Sequence, residues 1–207
     1  MPCRPVQFAA GCYYHLYNRG ANRSTIFPHD EDFHDFLSRL RRNALLHATS
    51  ILAWCLMPNH FHLLVRQEGD DRSGHMLQCT CNGYAQSFNG RHDHSGTLFQ
   101  GRYQAILVDS DEYLRCLCRY IHSNPVKDGF AVAPELWPYS NYADWIGAPR
   151  SVSLDQAAAE RQALEQAFVA EFFGSAARYR EFMRGWMDRK QMPDPLREYV
   201  GMLERTE

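Results

Sequence analysis

Lysine is almost missing from this chain. Of its 22 basic residues only Lys127 and Lys190 are lysines, against 20 arginines. Missing too is any apolar run of the ~18 residues that a membrane-spanning helix needs. The opening stretch Met1-Pro2-Cys3-Arg4-Pro5 has no apolar core of the kind a secretory leader carries. Net charge is nearly absent as well, −2 at pH 7, which speaks against a strongly basic nucleic-acid coat without excluding a local one. An even cysteine count is absent too. The seven cysteines stand at 3, 12, 55, 79, 81, 116 and 118, and this is not the paired framework of a small secreted fold. The two C-x-C pairs lie in helix-like stretches, where i and i+2 point to different faces, so they make poor zinc clamps. A reduced, cytoplasmic protein without a membrane partner is the expectation. The length of 207 residues suits one domain with an appendage and is short for the larger barrels.

What is present is arginine. Its planar fork suits phosphates and base edges, whereas lysine acts as a point charge; a G- and C-rich genome favours arginine codons too. Charge is uneven along the chain: 13 basic and 12 acidic groups in residues 1–130, 9 and 12 in residues 131–207.

Residues 11–17 (Gly-Cys-Tyr-Tyr-His-Leu-Tyr) have the aromatic content of a strand and run into an arginine-containing loop at 18–23. Residues 30–46 predict a helix, with acidic residues in the first turn and a stripe of Phe33, Phe36, Leu37, Leu40 and Leu45. Residues 50–56 and 60–67 predict a hairpin closed by Met57-Pro58-Asn59. A helix follows at 75–90, weakened by Gly83, then a polar loop at 91–96 and a strand at 103–108. The helix from 109 is capped by Ser110 or Asp109 and is expected to end before Pro125. This order fits an α+β, ferredoxin-like fold: a split β-α-β antiparallel sheet with helices packed on it. Residues 153–186 are helical in pattern, anchored by Leu164, Phe168, Phe172, Phe182 and Trp186, and the last twenty are polar. The domain boundary expected from this is 1–146 against a helical C-terminal extension, 147–207.

On a strand, alternate side chains share a face. His60, His62, Leu64 and Arg66 therefore point one way, and Phe61, Leu63 and Val65 point toward the helices. Two imidazoles at i and i+2 can offer neutral nitrogens to one divalent cation. Tyr120 and Asn124, four apart, are neighbours on one helical face, so Asn124 can add an oxygen while Tyr120 lies one turn away. A hard ion such as Mg²⁺ accepts few protein ligands and leaves positions for substrate phosphate. Each residue also has an ordinary reading: an inert histidine pair, a core tyrosine, a C-cap asparagine.

Leu56-Met57-Pro58-Asn59-His60-Phe61-His62-Leu63-Leu64-Val65 resembles the HUH motif of single-tyrosine DNA transposases. The chain is similar, more closely, to the REP-associated tyrosine transposases, the bacterial group linked to repetitive extragenic palindromes. Three further stretches carry the resemblance: Tyr14-His15-Leu16-Tyr17-Asn18-Arg19-Gly20, Leu98-Phe99-Gln100-Gly101-Arg102-Tyr103, and Arg119-Tyr120-Ile121-His122-Ser123-Asn124-Pro125-Val126. It spans about residues 10–145.

That resemblance implies a divalent ion, Mg²⁺ or Mn²⁺, held by His60, His62 and Asn124. It implies attack by Tyr120 on single-stranded DNA beside a hairpin, giving a 5′-phosphotyrosine link and a free 3′-hydroxyl, reversed on rejoining. Asn at 124 is what the palindrome-associated group is expected to carry, where insertion-sequence relatives commonly have Gln. The group is expected to act as monomers. Asn18, Arg19, Asn22, Arg23 and Arg102 are candidates for phosphate and base contacts, with Tyr103, Tyr13, Tyr17 and Phe99 as stacking surfaces. His122 falls off the Tyr120 face and reads as structural. His92 and His94, a second H-x-H, read as surface residues. The alternatives are a non-catalytic DNA or RNA hairpin binder, disfavoured by an intact His60, His62, Tyr120 and Asn124 set, and an H-x-H metal hydrolase, whose barrels need ~250 residues.

Overall fold

A computed structural model of the protein describes residues 6–69, 73–148 and 156–188, the last stretch without the side chains of 156–159 and 185–188. Cys3, the Trp186 side chain, the expected helix start at 153 and the polar residues beyond 188 lie outside the described residues. The chain divides into two compact units, Met1–Asp109 and Ser110–Glu207.

The first unit carries β1 (Tyr13–Arg19), α1 (Asp30–Leu46), β2 (Thr49–Met57), β3 (His60–Gln67), α2 (Ser73–Arg91) and β4 (Gln104–Val108). The strands form one antiparallel sheet in the order β2-β3-β1-β4, so β1 and β3 are central. This is the expected α+β, split β-α-β arrangement. The alternation read from β3 holds. Phe61 lies 4.9 Å from Phe36 of α1, which is edge-on to Tyr84 of α2 at 5.3 Å, and this aromatic layer forms the core on the helix side. Aromatic pairs of this kind add about 0.5–1.5 kcal/mol each beyond area burial.

Two details of the helices depart from expectation. Leu45, counted in the α1 stripe, is 78% exposed; Ala44, four residues after Leu40, completes the buried face instead. Gly83 does not weaken α2, which runs unbroken. A Cβ there would stand 3.0 Å from Arg39 Nη1, so the glycine lets the α1 guanidinium lie across α2. Arg39 in turn bonds Asp35 at 2.7 Å.

His94 is exposed as expected, but His92 is half-buried. Its Nε2 meets the fully buried Asp32 carboxylate at 2.9 Å, and Arg91 bonds the same carboxylate. Asp32 Oδ2 also accepts the backbone N–H of His29 at 3.1 Å, satisfying a donor at the start of α1. Asp32 thus ties the first turn of α1 to the end of α2. Asp32→Asn should cost about 2 kcal/mol in urea unfolding, because charge-assisted bonds to a buried carboxylate are lost. An unchanged midpoint would show the tie to be idle.

The second unit contains α3 (Asp111–Lys127), α4 (Tyr142–Trp145), α5 (Gln156–Phe173) and α6 (Ala176–Asp188). Ser110 caps α3 as expected, its Oγ accepting from Tyr113 N at 3.3 Å. Pro125 does not end α3. It sits inside the last turn, where it removes only one donor, and Asn124 stays helical. The stop is Gly129, in the left-handed region at φ 76°. Around it Phe130 N bonds Pro125 O at 2.8 Å and Gly129 N bonds Val126 O at 3.2 Å. This pair of bonds around a left-handed glycine is a Schellman cap.

Gly174, at φ 80°, separates α5 from α6 within the stretch expected as helical. Of the expected anchors Phe168 is buried, Phe172 and Phe182 are half-buried, and Leu164 is 38% exposed. Trp145 and Tyr179 fill the centre, their rings 4.8 Å apart. Three residues on one face of α3 reach the C-terminal helices. Arg115 Nε bonds Phe172 O and Arg119 Nη2 bonds Phe182 O, both at 3.0 Å, and His122 Nδ1 meets Tyr179 Oη at 2.7 Å. Burial pushes the Arg119 pKa down to about 10. No helix among the described residues is long and apolar enough to cross a membrane.

Candidate active site

The turn before β3 is fixed from three sides. Pro58 O accepts Ile26 N at 2.7 Å and Phe27 N at 2.9 Å, while Asn59 O accepts Gly20 N at 2.8 Å. Gly20 is obligatory here, because a Cβ would fall 2.0 Å from Ser24 O. The stretch 98–101 joins the same knot: Ala21 N bonds Leu98 O and Gln100 N bonds Arg19 O, each at 2.9 Å. Three separate sequence motifs are therefore one structural feature, which holds the hairpin turn that launches His60.

His60 and His62 share the sheet face opposite the aromatic layer, with ring centroids 5.2 Å apart. Register places Arg19 opposite His60 and Tyr17 opposite His62. Both histidines are buried, at 6% and 1% exposure. His60 Nδ1 donates to Asn59 Oδ1 at 2.7 Å. Asn59 is oriented for this by its own Nδ2, which donates to Arg23 O at 3.3 Å. His62 Nδ1 meets His15 Nε2 at 2.9 Å, and the two rings stack at 5.1 Å. Burial, and secondarily the His62 imidazole, hold the His15 pKa well below the ordinary histidine value.

His15 and Asn59 were not read as site residues from sequence. For His15 the signal was its place in the alternation Tyr13-His15-Tyr17-Arg19, but the pairing with His62 depends on a strand register that spacing alone does not give. Asn59 read as a turn former, which it also is.

In the second unit Tyr120 and Asn124 lie one turn apart on α3, 1% exposed each. Asn124 Nδ2 donates to Tyr120 O at 2.8 Å, which leaves Oδ1 as the acceptor atom of its amide. Ser123 Oγ reaches the same carbonyl at 3.1 Å. The Lys127 ammonium stands 5.2 Å from the centre of the Tyr120 ring. Asn124 is an interior residue of α3 and not its C-cap.

The chemistry of each donor suits a divalent ion. Imidazole nitrogens suit such an ion, His60 through Nε2 because its Nδ1 proton goes to Asn59 Oδ1, and an amide oxygen suits the same small, hard-to-borderline ions. Among the described residues no cluster of three or more His, Cys, Asp or Glu forms a metal cage. A pair of histidines alone leaves most positions around an ion open to water and substrate.

The candidate DNA contacts fall on separate surfaces. Asn22 and Arg23 are exposed in a turn at φ 53° and 60°. Arg19 is half-buried on the histidine face. Asn18, Arg102 and Tyr103 instead line a cleft of about 720 Å³ on the helix side, with Phe8, Gln78 and Phe99. Asn18 is largely committed to the fold, donating to Gly101 O at 3.2 Å and accepting from Arg19 N at 2.9 Å. Burial raises the Tyr103 pKa. Phe99 is core, 6.3 Å from Phe61, and Tyr17 stacks on His15 at 4.7 Å; Tyr13 lies under the Arg66 guanidinium at 5.9 Å.

A four-stranded antiparallel sheet with a buried H-x-H on a central strand, in a chain that also carries a helical tyrosine and asparagine, defines a class, and sequence comparison gives the family. Residues 8–124 match the profile described as "Transposase IS200 like", more than half of the chain, and the protein belongs to that family. It is 26% identical over 137 residues to a curated Haemophilus influenzae protein named as a REP-associated tyrosine transposase, covering 56% of this chain and 77% of that one. Among solved structures it resembles that of a REP-associated tyrosine transposase bound to a REP hairpin. The TM-score is 0.60 at 18% identity, over 76% of this chain and 97% of the other.

Proposed function

We propose that this transposase cleaves and rejoins single-stranded DNA beside hairpin-forming palindromic repeats through a 5′-phosphotyrosine intermediate on Tyr120. The observation that supports it best is the buried pair His60 and His62, on one sheet face with each Nδ1 engaged by a neighbour. The hairpin in the structural relative and the repeat-associated name of the curated relative point the same way.

His60, His62 and Asn124 would hold Mg²⁺ or Mn²⁺. When bound, the ion polarises the scissile phosphate and offsets the charge that develops on it. The Tyr120 phenol oxygen attacks phosphorus as its proton departs. The bond to the 3′ oxygen breaks, that oxygen leaves as a 3′-hydroxyl, and the 5′ phosphate stays on Tyr120. Attack by another strand's 3′-hydroxyl reverses these bonds, so rejoining needs no external energy. Arg19, Asn22 and Arg23 supply phosphate contacts outside the cleft, while Arg102 adds a phosphate contact and Tyr103 a stacking surface within the cleft that Asn18 shapes. The working form is a monomer.

The test is to mix the full-length protein with Mn²⁺ or Mg²⁺ and labelled hairpin oligonucleotides drawn from the repeats of its own genome. A protein–DNA band that survives denaturant and is lost with EDTA is expected. Hairpin binding without cleavage, for every repeat and both metals, would overturn the reading in favour of a non-catalytic binder.

A further inference from the structure

The two histidines of β3 differ in how their ligand nitrogens are set. A neutral imidazole carries one proton, and only the nitrogen without it can bind a cation. For His60 the choice is made locally. Asn59 Oδ1 can only accept, so the His60 proton sits on Nδ1 and Nε2 keeps its lone pair. For His62 the partner is a second imidazole, and the single proton between His15 Nε2 and His62 Nδ1 has two possible owners. If His15 donates it, His62 carries its proton on Nε2 and has no lone pair there. If His62 donates it, Nε2 becomes a ligand.

We propose that His15 is the positioning residue of the site: as the acceptor of the His62 Nδ1 proton it fixes the tautomer and ring plane that aim His62 Nε2 at the cation. This rests on the reading of His60 and His62 as metal ligands given above. Geometry supports the pairing on three counts. The contact is 2.9 Å between fully enclosed rings, at 0% and 1% exposure, so water does not substitute for either partner. Tyr17 braces the pair from the same face, 4.7 Å from the His15 ring and 5.6 Å from the His62 ring. The β1–β3 register keeps all three on one face of the two central strands. Partners that hold the second nitrogen of a ligand histidine typically contribute 10- to 100-fold in metal affinity.

The test compares His15→Leu, which removes the acceptor, with His15→Gln, whose carbonyl oxygen can stand near the lost Nε2. Mn²⁺ affinity of the full chain, read by electron paramagnetic resonance of the free ion, should weaken roughly 10- to 100-fold in His15→Leu and recover most of that in His15→Gln. A merely structural role predicts no such recovery. Imidazole ¹⁵N shifts of the wild-type protein with Mg²⁺ provide a second readout that needs no variant, and His62 is expected to be protonated at Nδ1. A His62 protonated at Nε2, or wild-type Mn²⁺ affinity in a folded His15→Leu, would overturn the proposal. His62→Ala separates the two claims. Unchanged Mn²⁺ binding there would sink the metal reading itself, whereas a loss there with His15→Leu unaffected would sink only the role of His15.

Discussion

Tyr120→Phe should abolish the covalent protein–DNA adduct while leaving the fold and hairpin binding intact. The side chain is 1% exposed, with the Lys127 ammonium 5.2 Å from the ring centre. Phenylalanine keeps that ring and deletes only the attacking oxygen. The carbonyl bonds from Ser123 and Asn124 belong to the backbone and survive the change. Removing the nucleophile of a covalent mechanism costs roughly 10³-fold or more in rate, since no other group forms the intermediate. The expected result is therefore no detectable adduct on a denaturing gel, with hairpin affinity by fluorescence anisotropy within about twofold of wild type. An adduct at wild-type level would assign the nucleophile to another residue.

How much of this was legible beforehand differs between the fold and the site. The strand and helix order followed from periodicity and turn residues, because a period of two or of 3.6 is a local property. α1 and β3 fall at the expected bounds for that reason. The end of α3 did not, because a rule about the residue before proline was outweighed by a glycine cap four residues later, where the bonds around Gly129 satisfy the last carbonyls. At the site, the face shared by His60 and His62 was a local inference. The Nδ1 partner of His62 was not, since His15 comes from another strand and enters only through register. His92 shows the same limit: a polar loop histidine gave no hint of the buried Asp32 that it meets. The Lys-poor, Arg-rich composition has its most specific structural outcome in Arg115 and Arg119, which bond backbone carbonyls of α5 and α6 in place of a phosphate.

The second large effect is expected at His122. Its Nε2 donates to Asn141 Oδ1 at 3.0 Å, and its Nδ1 accepts from the Tyr179 hydroxyl at 2.7 Å. Asn141 Nδ2 continues the chain to Glu165 Oε1 at 2.9 Å. His122, Asn141 and Tyr179 are all 0% exposed, so no water replaces a missing partner. His122→Leu preserves volume approximately but strands two buried polar groups, each costing about 1–3 kcal/mol. A loss of about 4 kcal/mol follows, on the order of 15 °C or more in the melting of a unit this size. Tyr179→Phe removes one bond only and should cost about 1–2 kcal/mol. The double variant should lose less than the sum, because both changes break the same bond. Strict additivity, or a His122→Leu protein that melts like wild type, would show that the network does not hold the helices. At 3.6 residues per turn, Arg115, Arg119 and His122 fall within one narrow arc of α3, and Tyr120 and Asn124 lie roughly 130–170° around from it. The C-terminal helices thus grip the side of α3 away from the proposed nucleophile and metal ligand, and His122→Leu assayed below its melting point should still form the adduct that Tyr120→Phe cannot.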